Sequence, residues 1–417
     1  SMGRLRYLSI LCCAMAVPLL FGLAGCNRQA STETLLQEAQ SFYDKGDYRS
    51  AVIQLKNALQ NSPDDAEIRY RLGVAYNRTG DGVSAEKELK KALELKSDHP
   101  KAAMELGGSL LRQGAFDRVL AEMSPPPAGA ANLADVLVLR AQAHAGLRQF
   151  KEAEADFGAA LAARPGFADA LVGQARLKAS TQDIDGALAI LEQPLAKYPK
   201  YLDALTAKGD FTRFQGHVDR AVAAYSAAIE SHPQSLQPRL SRAASYLASA
   251  KNTEAQSDID AAFKIQPKNL IGTYLQALLH FRNGKNEASR DALQDVLKAM
   301  PNHLPSLLLS GAVYGALGSK EQAETNLRKV LDSTPDNPLA RRLLATLLLR
   351  SKQPQRAVEV IEPAVARMPE DPQVLALAGE AHMQNGDYEK ATKYLEKAAT
   401  IDPKSANIRT GLGLSRL

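Results

Sequence analysis

Apolar residues in this chain return every three or four positions, and glycine and proline interrupt that rhythm at fixed intervals. In KGDYRSAVIQLKNALQNSP, residues 45–63, Ala51 and Leu55 stand four apart, as on one face of a helix, and Pro63 ends the run. NGDYEKATKYLEKAATIDP, residues 385–403, repeats the phrase with Ala391, Leu395 and Pro403 in the same places. Pro165, Pro199, Pro233, Pro267, Pro301, Pro335, Pro369 and Pro403 are each 34 residues apart, and three further periods back from Pro165 stands Pro63. Ser97 and Ala131 fill the two intervening places, so eleven repeats fit between Thr32 and Pro403 without an insertion.

Overlaying the repeats shows what each position needs. Position 8 is always small, as at Ala39, Gly73, Gly311 and Gly379, and position 24 is always large and apolar, as at Leu55, Leu89, Tyr225 and Leu395. Small residues let two helix axes approach, and large ones fill the space beside them. Glycine at position 15, from Gly46 to Gly386, suits a chain leaving a helix through a left-handed conformation. Proline at position 32 cannot continue a helix. Each repeat is therefore predicted to be a helical hairpin: helix A, a turn, helix B, a stop. The fold class is all-α.

This pattern resembles the tetratricopeptide repeat (TPR), a 34-residue helix–turn–helix unit. The resemblance implies a right-handed superhelix, an α-solenoid, of about eleven repeats plus one partial repeat. It divides the chain into residues 32–131 (repeats 1–3), 132–403 (repeats 4–11) and 404–417, the first helix of a truncated twelfth repeat or a cap. A stop in mid-repeat leads us to expect a longer native chain. The third repeat is degenerate: EMSPPPAGAAN puts Pro125, Pro126 and Pro127 where its second helix should end, as a local loop or as a hinge between two blocks.

Composition narrows the function. Hydrophobic residues at 45% and charged ones at 23% suit a folded chain. Lys and Arg exceed Asp and Glu by only five, and Arg4 and Arg6 supply two of those, a weak argument for nucleic acid, whose binding needs a concentrated basic face. Cys12, Cys13 and Cys26 are the only cysteines, which leaves the repeats without disulfides or thiolate metal ligands. Residues 1–25 read as a leader, with Arg4 and Arg6 before the apolar stretch Tyr7 to Ala24. Leu23-Ala24-Gly25-Cys26 resembles the bacterial lipobox, which implies lipidation of Cys26 and a short linker over 26–31. Several acyl chains on one residue make a stable anchor. Asn27 in place of Asp points by the same resemblance to an outer-membrane lipoprotein facing the periplasm.

No enzyme signature appears: there is no HExxH, GxSxG or P-loop. His144, His280 and His382 share position 11 with Tyr76, Tyr246 and Tyr314, and are expected to replace packed aromatics. Asp258 and Asp260 are expected to be exposed helix charges. The expectation is a non-catalytic protein with no cofactor and no metal.

By the TPR resemblance, helix A lines the concave surface and positions 2, 5, 9 and 12 face the groove. Repeats 7–9 would then present an apolar strip including Leu240, Leu247, Ile271, Tyr274, Leu278, Phe281 and Leu308. Asp203, Asp210, Arg213, Arg342 and Arg350 would form a charged rim, the usual anatomy of a recognition surface. Position 9 holds no Asn, so the clamp with which some TPR proteins hold a peptide C-terminus does not carry over. The opening repeats behind the lipobox resemble the TPR lipoproteins of the PEP-CTERM/exosortase system (PrsT type). That implies protein partners in exopolysaccharide export or surface-protein sorting, a membrane reached through the lipid, and no nucleic acid. A pilus or outer-membrane assembly factor, or the non-catalytic arm of a longer enzyme, are the alternatives.

Overall fold

Hairpins of two helices make up the regular structure. The computed structural model describes residues 30–126 and 133–417, with 23 helices and no strand among the described residues. The leader, Cys26 and Pro127 lie outside them. Contacts divide the chain into two compact bodies, Ser1–Ala131 and Asn132–Leu417. The first holds α1 (Thr32–Asp44), α2 (Tyr48–Asn61), α3 (Ala66–Thr79), α4 (Gly82–Leu95), α5 (Ala102–Arg112) and α6 (Phe116–Met123). The second begins with α7 (Leu133–Gly146), α8 (Phe150–Ala163), α9 (Ala168–Ser180), α10 (Ile184–Lys197), α11 (Leu202–Phe214) and α12 (Val218–Ser231). It continues through α13 (Leu236–Ala248), α14 (Asn252–Ile265), α15 (Leu270–Arg282), α16 (Asn286–Ala299), α17 (Leu304–Ala316) and α18 (Lys320–Ser333). It closes with α19 (Pro338–Arg350), α20 (Pro354–Arg367), α21 (Pro372–Gln384), α22 (Tyr388–Ile401) and α23 (Ala406–Ser415). The hairpins keep the 34-residue register. In the third repeat α6 is shortened to 8 residues against 14 in α4, as its prolines require.

The turn at position 15 has one geometry throughout. Gly46, Gly80, Gly114, Gly216, Gly284, Gly318 and Gly386 all have positive φ, and so do Arg148 (60°), Gln182 (67°), Ala250 (58°) and Lys352 (57°). The chain must reverse there whatever the side chain, so four repeats carry a left-handed residue that glycine would adopt without strain. Helix B often starts at an aspartate cap. Asp47, Asp81, Asp183 and Asp387 accept from the amides of Ser50, Ser84, Gly186 and Lys390 at 3.1, 3.0, 2.9 and 3.2 Å.

Inside each hairpin the small and large positions interlock. A Cβ on Gly73 would lie 2.6 Å from Leu89 Cγ, one on Gly311 2.6 Å from Leu327 Cγ, and one on Gly379 2.7 Å from Leu395 Cγ. The Tyr225 ring covers Gly209 in the same way. Phe157 goes further and fills the space above Gly173, in helix A of the next repeat. Such contacts leave no room for a methyl group. Asp258 departs from its expected exposure: it is 2% exposed, because Arg242 on the facing helix takes both its oxygens.

Within each body every helix packs on the next one in the chain, and helices A of neighbouring repeats also meet, as α9 does with α7 and α11. Among the described residues of either body, no two helices B of neighbouring repeats form a comparable interface. Within each body, helix A is thus on the closer, inner side of the stack.

Candidate binding groove

Positions 2, 5, 9 and 12 fall on one face of helix A, three to four residues apart. In the second body the structure sorts the expected groove residues by depth. Ile271 is 39% exposed, and Tyr274, Leu278, Phe281 and Leu308 are half-buried beside it. Burial raises the Tyr274 hydroxyl above its ordinary pKa, and the ring meets His303 edge-on with centroids 5.5 Å apart. Leu240 and Leu247 are corrections. At 6% and 2% exposed they belong to the core with Ile259, Leu275 and Leu279, so they support the strip from beneath and offer no surface to a partner.

The charged flank is also sorted. Arg213 and Arg350 are exposed. Asp210 is engaged internally: it accepts from the buried Tyr225 hydroxyl at 2.7 Å, and Arg176 lies 3.5 Å away. Burial, then the Asp210 hydrogen bond, raises the Tyr225 hydroxyl far above its usual range. Next to Arg213 stands Phe214, 73% exposed and unforeseen from sequence. Along one edge, Asp135, Asp169 and Asp203 occupy position 2 of three consecutive repeats. Burial, then the neighbouring Asp203 and Asp135 charges, raises the Asp169 carboxyl.

A cleft of about 760 Å³ lies over α19, α21 and α23. Leu339, Arg342, Ala376, Glu380, Met383 and Leu414 line it, all from positions 2, 5, 9 or 12. Of these the sequence reading had named only Arg342. The signal it could have used was the position number, which holds in repeats 10–12 as in repeats 7–9. Polar Gln373, Glu380 and Asn407, interleaved with the apolar residues, hid the continuity. In the first body, a hollow of about 260 Å³ is lined by Tyr43, Tyr70, Arg71 and Glu67 on the same face of α1 and α3.

The histidines have structural surroundings. His382 is 3% exposed, and its Nε2 lies 2.5 Å from Glu362, which also accepts from the Tyr394 hydroxyl at 2.9 Å. Burial and then that carboxylate push Tyr394 up to about 12. His99 faces Glu67 through Nε2 at 2.9 Å, while its Nδ1 accepts from the Ala102 amide at 3.1 Å at the start of α5. Among the described residues, no group of three His, Cys, Asp or Glu could hold a metal ion, and no helix is long and apolar enough to cross a membrane.

One family model described as tetratricopeptide repeat matches residues 36–100, 240–303, 308–362 and 343–406, and a second of the same description matches 144–209. DnaJ homolog subfamily C member 3 from Bos taurus is 30% identical over 101 residues, 24% of this chain. The chain spans about a fifth of the length of that curated relative, 20%. Among solved structures, the APC/C hetero-tetramer Cut9-Hcn1 aligns over 93% of this chain and 90% of its own, at 15% identity and a TM-score of 0.49. PilW, a widely conserved type IV pilus biogenesis factor, aligns over 50% of this chain and 96% of its own, at 21% identity and a TM-score of 0.46.

Proposed function

Because this chain belongs to the tetratricopeptide repeat family, we propose that it is a non-catalytic scaffold that holds protein partners against the A-helix face of its repeats. We place it at the bacterial outer membrane, anchored through Cys26 and serving exopolysaccharide export or PEP-CTERM surface-protein sorting. The observation that carries the binding role is the apolar strip of Ile271, Tyr274, Phe281 and Leu308. Those side chains are partly exposed where the repeats would otherwise be closed, and a contiguous apolar face of this kind suits a partner helix or extended segment. The cell-envelope role rests on the leader, on the four residues ending at Cys26, and on the likeness of the opening repeats.

The test is cross-linking in cells with the anchor intact, followed by identification of the captured proteins. Polysaccharide-export or surface-sorting components should be recovered. The Tyr274→Ser/Phe281→Ser double variant should lose them while keeping its helical circular-dichroism signal. Undiminished capture by that variant removes the groove from the account, and recovery of pilus components alone moves the chain to a different machine.

A further inference from the structure

We propose that the cleft over α19, α21 and α23 seats a partner-protein segment presenting apolar side chains together with a carboxylate for Arg342. This rests on the groove-binding reading above and narrows its ligand chemistry. Leu339 and Leu414 are 46% and 54% exposed, unusual for leucines that share one concavity, and Leu343, Leu377 and Met383 extend the apolar surface between them. Arg342 sits one helical turn along α19 from Leu339. Any body that covers Leu339 therefore also strips water from the guanidinium.

That guanidinium differs from those arginines of helix A that are neutralised inside their own hairpin, and resembles Arg71, which donates to the neutral Gln40. Arg69 pairs with Glu88 at 2.8 Å, Arg140 with Asp156 at 3.2 Å, and Arg242 with Asp258 at 2.7 Å. Arg342 instead donates to the neutral Gln373 amide at 2.5 Å, and among the described residues no carboxylate lies within 4.0 Å of it. A covered, unpaired cation opposes binding strongly, whereas a bidentate carboxylate on guanidinium favours it and sets register. Glu380 and Asp402 also line the cleft, and they disfavour a ligand that is acidic throughout. The occupant is thus an apolar segment with its carboxylate placed at the Arg342 end.

The experiment is selection of a random dodecapeptide library, displayed on phage, against the full chain. Enriched peptides should combine aliphatic or aromatic residues with an Asp or Glu. They should bind the Arg342→Gln variant about tenfold more weakly, with the difference shrinking as salt is raised. They should also lose affinity for the exposed-site variant Leu414→Ser. Peptides that need Leu414 but show no acidic preference, or that ignore Arg342→Gln, overturn the carboxylate inference and leave groove binding intact. Peptides indifferent to both variants, or no enrichment at all, remove this cleft as a ligand site and count against the groove reading itself.

Discussion

Arg242 and Asp258, sixteen residues apart on the two helices of one hairpin, form a two-pronged ion pair. Nε donates to Oδ2 at 2.8 Å and Nη2 to Oδ1 at 2.7 Å, while Nη1 donates to Ser226 of the preceding repeat at 2.9 Å. The Asp258 hydrogen bonds hold the guanidinium pKa above its ordinary value. The same two repeat positions carry Arg140 with Asp156 and Ser310 with Asn326, so a polar cross-brace replaces apolar packing in three hairpins.

Removing one partner of this brace should be worse than removing both. Asp258→Ala should cost about 2–4 kcal/mol, below the range for fully buried pairs because Arg242 keeps some exposure to water. Arg242→Met with Asp258→Leu should recover most of that loss. Hydrogen exchange of α13 and α14 amides is the proper readout, since stacked repeats open locally. Equal losses in the single and double variants would show that the pair contributes net stability.

The left-handed turns predict a stabilising substitution. Ala250 has φ 58° at a place where seven other repeats use glycine. Ala250→Gly relieves about 1–2 kcal/mol of backbone strain and gives back up to about 1 kcal/mol in unfolded-chain entropy. A net gain of about 0.5–1 kcal/mol, seen as a higher urea midpoint, is expected. Gly386→Ala should move the other way, and a destabilised Ala250→Gly variant would contradict the strain argument.

Two histidines predict a pH dependence. Burial lowers the pKa of His303, and burial followed by the Lys285 charge lowers that of His280. The unfolded chain, titrating near ~6.5, then binds more protons than the folded one. Their contribution is complete above that pH and is lost as pH falls through the folded values. His303→Asn should cap α17 as Asn269 caps α15 and Asn337 caps α19, by accepting amides at 2.8 and 2.9 Å. Its stability advantage over the parent chain should widen between about pH 7.5 and 5.5. A constant gap would rule out His303 as a source of acid sensitivity.

Hairpin boundaries were legible because every repeat must solve the same packing problem with the same small and large residues, as Gly379 under Leu395 shows. Parts of the groove were not. Leu240 and Leu247 stand at groove-facing positions, yet Leu275 and Leu279 of the following helix A close over them. Tyr274, one repeat later at the same position as Leu240, remains only half-buried. Depth at a given position thus depends on the neighbouring repeat, which no single-repeat pattern records. Asp258 looked like a surface charge because its partner lies on another helix.

Sequence by itself determined the repeat length, the two-helix unit, the turn and stop positions, and the residue types each hairpin needs, since these follow from local backbone preference and from periodic packing. Tertiary structure decided which groove side chains stay in contact with water, where the stack leaves a cleft, and which charges are already paired. Those outcomes depend on side chains brought together from separate hairpins, and neighbours in space set desolvation and Coulomb energy.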